Sequence, residues 1–363
     1  MHDGTYLTRA HGTVRRYRCR LCGKGLSSQT ESIYYGSKLR VDLRRVYSRL
    51  RGGSSLRDIG REIGCSRQAV GNAVLRLGRQ AMAAHVNLIC GLSTSGRFCF
   101  DGLVSAVTGR DYPSQVTVLG DTHSELILAM THCVTERGGA RTEAQRRRIE
   151  RRRRVWRPAK GALVESISLL VRELAGFVSG RLVHLDTDEH PLYPKVIQND
   201  KRLSWHRAHG LLHHRRTPGT APRTRENPMF LMNYVDRMIR HRMKEHTRET
   251  IALGRESNAQ MHRMWIFAHD HNTRQPMRVA GIDRRSRAQI GGVPAPVLER
   301  VRREFFSRRI SVLRLPVPES VRRVWKARIG TPPIRWRAPE HQRGPIVPQY
   351  ALRDLSSSRP HDW

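Results

Sequence analysis

The stretch RFCFDGLVSAV (97–107), followed by SQVTVLG (114–120) and SELILAMTHCV (124–134), sets the fold class. Each run is rich in β-branched and aromatic residues and is bounded by turn formers, which predicts three successive strands. Downstream, KGALVESISLLVRELAGFV (160–178) carries Leu163, Ile167, Leu170 and Leu174 at helical spacing, the pattern of an amphipathic helix. A short strand, RLVHLDTD (181–188), follows and ends in acids. Further out lie an exposed loop over the His-, Arg-, Pro- and Gly-rich residues 201–228, helical patterning over 229–269, and one good helix near PVLERVRREFF (296–306). Three strands, a helix, a strand ending in acids and then more helices is the element order of an α/β fold with an RNase H-like core, a mixed sheet flanked by helices. Coarse patterning alone admits several α/β folds.

The segments upstream differ in kind. RYRCRLCGK (16–24) sets Cys19 and Cys22 in a C-x-x-C knuckle, where two thiolates can converge on one tetrahedral zinc. One knuckle supplies half the ligands, and His2 and His11 are weak substitutes. SSLRDIGREIGCSRQAVGNAVLRLG (54–78) lines Leu56, Ile59 and Ile63 on one helix, gives Gly64 a tight turn, and caps a second helix with Ser66. This is helix-turn-helix spacing, in which Arg67, Gln68 and Asn72 would meet base edges in a major groove. The expected organisation is a partial zinc-ribbon-like module over 1–36, a helix-turn-helix over 37–84, the α/β core over 95–275 and a basic Pro/Arg-rich extension over 276–363.

Composition narrows the partner. The 363 residues carry 67 Lys and Arg against 31 Asp and Glu, a formal net charge of +36. That excess calls for a polyanion, and DNA or RNA are the natural ones. TEAQRRRIERRRRVWRP (142–158) reads as a solvated helix or a backbone-contacting arm. Arg237, Arg240 and Lys244 would clamp DNA backbone or form a solvated face, and Trp205 with His206, His209, His213 and His214 reads first as a buried Trp in a polar loop and second as a place where an exposed base would stack. No apolar run is long enough for a membrane span and no secretory pattern opens the chain, so a cytoplasmic, nucleoid-associated protein is expected. Cys65, Cys90, Cys99 and Cys133 read as reduced, mostly buried thiols.

Three acids stand out. Asp101 follows Cys99 and Phe100 in an apolar strand, where an unpaired carboxylate is costly. Asp188 ends the later strand beside Asp186 and Glu189. Asp236 sits at the edge of a helical stripe of Met232, Val235, Ile239 and Met243. Brought together, three carboxylates repel unless Mg²⁺ or Mn²⁺ lies among them.

With these motifs in hand, the chain resembles bacterial and archaeal insertion-sequence transposases that join a zinc ribbon and helix-turn-helix to a DDE-type RNase H-like domain. The resemblance spans roughly residues 10–280 and rests on RYRCRLCGK, the helix-turn-helix, FDGLVSAV (100–107), TDEHPLYPKVI (187–197) and the long segment from Glu226 to Asn272. Tyr193, five residues after Asp188, and the group Arg248, Glu249, Thr250 and Arg255 carry it most specifically. It implies metal-dependent DNA cleavage and strand transfer at an element's terminal inverted repeats, by a homo-oligomer acting on double-stranded transposon ends and target. Asp101, Asp188 and Asp236 would be its catalytic acids. Many relatives carry Glu at the third, a column that falls near Asn233 here, and Glu249 and Glu226 are the weaker alternatives to Asp236. The rival expectation is a non-catalytic helix-turn-helix DNA-binding protein, a regulator or decayed transposase, which would bind specifically without Mg²⁺-dependent nicking.

Overall fold

The computed structural model of the chain describes residues 1–333 apart from 179, 249, 251 and 279–281. It opens with a small antiparallel sheet of β1 (His2–Thr8), β2 (Gly12–Arg18) and β3 (Gly25–Ser27), of which only Val14 is buried. Three helices follow: α1 (Leu43–Arg51), α2 (Leu56–Ile63) and α3 (Arg67–Ile89). Asp42, Ser55 and Ser66 cap them, each side chain accepting the backbone amide three residues on. Such caps satisfy donors that the helix itself leaves unpaired. Gly64 ends α2 with a left-handed φ of 68°, and Gly60 lies so close to the turn that a Cβ there would stand 2.7 Å from the Cys65 carbonyl oxygen. The tight α2–α3 turn therefore needs both glycines.

The later half of α3 behaves differently from its start. Every residue from Leu77 to Leu88 is buried, so α3 begins as an exposed helix and ends as a core helix. Its partner is α9 (Ser257–Thr273), where Gly78 admits the His262 ring: a Cβ at 78 would fall 2.4 Å from Nδ1. One continuous hydrophobic core, from Ile33 to Trp325, joins the amino-terminal helices to the rest.

The main body is α/β, a five-stranded mixed sheet flanked by helices. Its strands are β4 (Arg97–Ala106), β5 (Pro113–Asp121), β6 (Ile127–Val134), β7 (Val183–Asp188) and β8 (Leu212–Thr217), in the order β6-β5-β4-β7-β8. The first three pair antiparallel as a meander, while β7 and β8 run parallel to β4. Alternation along β4 divides its side chains between two faces. Phe98 and Phe100 pack against Phe177 of α5 (Ala162–Phe177) and Tyr193 of α6 (Leu192–Asn199). Cys99 and Asp101 take the opposite face, beneath α8 (Phe230–Arg242). Gly120, paired with Cys99, allows α8 its close approach, since a Cβ there would meet Leu231 Cδ2 at 2.6 Å.

Residues 201–228 correct the expectation of an exposed loop. They contain α7 (Lys201–Ala208), capped by Asp200, and the edge strand β8, LHHRRT, in which only Leu212 and Thr217 are buried. An edge strand's pairing with one neighbour tolerates polar side chains, so its composition imitates a loop. The charged segment after β6 is the helix α4 (Glu143–Arg153), solvated except at Ile149. The carboxy-terminal elements α10 (Arg287–Ile290), α11 (Ala295–Glu304) and α12 (Glu319–Trp325) fold back onto the body. Phe305 stacks on His269 at 3.9 Å, and Glu173 of α5 accepts hydrogen bonds from the Ser320 amide and hydroxyl of α12. The basic extension expected beyond 333 lies outside the described residues.

Asp270 fixes the amino-terminal helices to this body. Fully buried, it receives Arg51 Nε at 2.8 Å and the Tyr47 hydroxyl at 3.1 Å from α1, Arg242 at 3.4 Å from α8, and Gln275. Removing the carboxylate strands two guanidinium groups. Asp270→Ala is expected to cost about 3–5 kcal/mol in urea unfolding. Asp270→Asn, which keeps the shape and loses the charge, should fall between.

Candidate active site and nucleic-acid interface

Strand register brings two of the acids together. β4 and β7 lie side by side and parallel, with Cys99 opposite Asp186. Two residues further along each strand, Asp101 and Asp188 come alongside each other on the same face, with neighbouring strands about 4.8 Å apart. Asp236 arrives from above. The Met232 backbone lies at the Cys99 thiol, and Asp236 is one helical turn further along α8. Burial, then the Asp188 charge and, more weakly, that of Asp236, push the Asp101 carboxyl up to about 7; the Gly102 amide and Arg223 act in the other direction. The charges of Asp188 and Asp236 thus both reach Asp101.

Their partners divide the local carboxylates. Asp186 is neutralised by Arg215 Nε at 2.7 Å. Asp101 Oδ1 accepts the Gly102 amide at 2.6 Å, and Asp188 Oδ1 accepts the His190 amide at 2.8 Å. Asp236 is ion-paired with Arg240, whose Nε lies 3.2 Å from each carboxylate oxygen and donates to Oδ2. Arg240 in turn donates to the His246 carbonyl oxygen at 2.8 Å and the Val104 carbonyl oxygen at 3.4 Å. It is therefore tied into the fold beside the acids. Tyr193, edge-on to Phe100 at 4.7 Å, has its hydroxyl pKa raised by burial and by the charges of Asp101 and Asp188, which places it at the site. Among the described residues, no three His, Cys, Asp or Glu side chains converge closely enough to form a ready-made metal site.

Of the alternatives for the third acid, Glu226 is exposed at the start of the α8 approach and Glu249 lies outside the described residues. Arg223 and Arg215 carry no motif in the sequence. Their relation to the acids depends on the 218–229 connection and on β7–β8 register, and no local pattern announces either.

The amino-terminal side chains are also presented. Arg67, Gln68 and Asn72 are exposed at the start of α3, with Gln68 Nε2 donating to Asn72 Oδ1 at 3.2 Å. A cleft of about 690 Å³ separates this helix from the body, bordered by Arg57, Arg67, Arg242, Lys244 and Arg255 over a floor that includes Phe267. Trp205 is half exposed rather than buried and stacks on His209 at 4.0 Å, while His206 is buried. Cys19 and Cys22 are free and partly or wholly exposed. The amides of Cys22 and Leu21 and the Cys22 thiol lower the Cys19 pKa, so the two sulfurs face one another. Of the remaining thiols Cys99 and Cys133 are buried, whereas Cys90 is exposed, contrary to expectation, because it follows the last turn of α3. No described helix is long and apolar enough to cross a membrane.

No protein-family model matches the chain, and no curated protein sequence matches it.

Proposed function

We propose that this chain is a DNA-cutting and DNA-joining enzyme of the transposase kind, whose helix-turn-helix holds the element's ends and whose Asp101, Asp188 and Asp236 form the reactive site. The observation that carries this reading is the register that sets Asp101 beside Asp188, with the charges of both Asp188 and Asp236 acting on the largely buried Asp101 carboxyl. Carboxyls held against one another at that cost mark a candidate functional site. The sheet is compatible with the same reading: a three-stranded meander with two further strands parallel to its first, in the order β6-β5-β4-β7-β8, could serve as the RNase H-like core that the resemblance implies.

The residues fit Mg²⁺ or Mn²⁺ by donor type, since all three offer carboxylate oxygen. Such ions, when bound, polarise a phosphodiester and favour ionisation of an attacking hydroxyl. The protein's own groups do the rest. Gly102 and His190 amides fix the Asp101 and Asp188 carboxylates, and Arg240 holds Asp236 on the correct turn of α8. Tyr193 and Phe100 wall the site from beneath.

The net charge of +36 and the exposed start of α3 support duplex DNA as the substrate. Arg67→Ala is expected to weaken binding to the preferred DNA sequence by about ten- to a hundredfold while leaving random-sequence binding less affected. A titration against both duplexes at fixed salt measures this. The enzymatic part is tested by Mg²⁺-dependent nicking and strand transfer with and without Asp101; specific binding that persists with no nicking by the intact chain would favour a non-catalytic DNA-binding protein.

A further inference from the structure

The tip between β2 and β3 is unused by the reading above. It is a prebuilt turn: the Cys19 amide donates to the Lys24 carbonyl oxygen at 2.9 Å, the Gly23 amide donates back to the Cys19 carbonyl oxygen at 3.0 Å, and Gly23 takes a φ of 67°. Two free thiols stand on that turn, and two thiolates are half of a tetrahedral zinc site. The described residues do not supply the other half, since no third His, Cys, Asp or Glu joins the pair. Of the module's histidines, His11 is engaged elsewhere, its Nε2 3.3 Å from the Ser37 carbonyl oxygen, and His2 lies edge-on to Tyr17. The surroundings are also unfinished: Leu21, between the two cysteines, is 98% exposed, and Leu7 and Leu26 on the same small sheet are exposed as well.

We infer that two copies of the chain meet at this tip and share one zinc ion, bound by Cys19 and Cys22 of each. Four thiolates around a divalent ion leave two negative charges, and Arg20 and Lys24 of each copy flank them. Without the ion those cations repel, so association depends on the metal. The arrangement is self-complementary and closes at two, because each copy contributes the same half. The two Leu21 side chains then cover one another. None of this relies on the DNA-cutting reading.

The test uses the full chain, reduced with a phosphine, stripped of metal, and titrated with Zn²⁺ or Co²⁺ while light scattering follows mass. The expected result is a twofold rise in mass over the metal-free protein, complete at about half an equivalent of metal per chain. Co²⁺ should show thiolate charge-transfer and tetrahedral ligand-field absorption, and a chelator should reverse mass and spectrum together. Cys22→Ser should abolish both changes, and Cys90→Ser, at the other exposed thiol, should leave both intact. One zinc per chain without a mass change, a mass indifferent to zinc, or zinc-driven association that survives Cys22→Ser would each overturn the inference.

Discussion

Asp101→Asn is expected to reduce Mg²⁺-dependent DNA cleavage and joining by at least about a thousandfold while leaving duplex affinity within about twofold. The split follows from placement. Asp101 lies on the central strand of the sheet beside Asp188, whereas Arg67, Gln68 and Asn72 are exposed on a different element, the start of α3. The same substitution should make the metal-free protein more stable at pH 8. A carboxyl whose pKa rises from an ordinary 3.8 to about 7 on folding is ionised at pH 8 at a cost to the folded state. As pH falls through 7 toward 4 the folded carboxyl takes up its proton and that cost disappears. Asparagine removes it at all pH values, so a gain of about 1–3 kcal/mol at pH 8, allowing for partial solvent access, should shrink toward pH 5. Melting curves at the two pH values report this independently of DNA. Undiminished cleavage by the variant would remove Asp101 from the reactive site, and lost cleavage with a lower melting temperature would make its role structural.

What the sequence disclosed about this site, and what it hid, divides along physical lines. Asp101 was legible because a charged residue interrupts the apolar RFCF run, and Asp188 because it ends a short strand among other acids. Asp236 was legible from its place beside the stripe of Met232, Val235, Ile239 and Met243, all of which are buried. Periodicity is a local property, and these readings needed nothing else. Arg215 and Arg223 were hidden because their relation to the acids is made by pairing and by a long connection. β8 was hidden for a related reason: His213, His214, Arg215 and Arg216 have no strand pattern, and only register with Val183–Asp188 holds them extended. The last turn of α3, past the expected end at 84, was hidden, and the polar members Arg79, Gln80, His85 and Asn87 gave no sign that its far half is core. Gln80 satisfies the Ile310 amide, His85 lies 2.9 Å from the Leu128 carbonyl oxygen and Asn87 reaches the Ser311 carbonyl oxygen. A helix carrying such groups becomes a core helix only when distant chain supplies their partners.

Those buried polar groups set the second large effect: the protein should lose most of its stability between pH 7 and pH 5. Burial holds His85 and His246 down to about 4 and His132 and His262 down to about 3, and it holds His269 and His271 well below the ordinary 6.5. His262 has neither ring nitrogen partnered, and Gly78 presses against it, so no donor or acceptor eases its protonation. In the unfolded chain each ring takes a proton near 6.5, and in the folded chain it does not. Stability is therefore intact above about pH 7 and declines as pH falls below 6.5, by about 2 kcal/mol for each such histidine at pH 5. Asp101 and Glu173, both raised to about 7 by burial, act in the opposite sense and return about 2–3 kcal/mol each over the same interval. Six histidines outweigh two carboxyls, and the difference is comparable with the whole stability of an ordinary domain. Urea midpoints measured from pH 8 to pH 5 should fall steeply, with a slope that reports net uptake of several protons on unfolding. His262→Leu should lower that uptake by about one proton, since it deletes one ring that titrates only when unfolded. A stability that stays level from pH 7 to pH 5 would mean that these rings are protonated, or solvated, inside the folded protein.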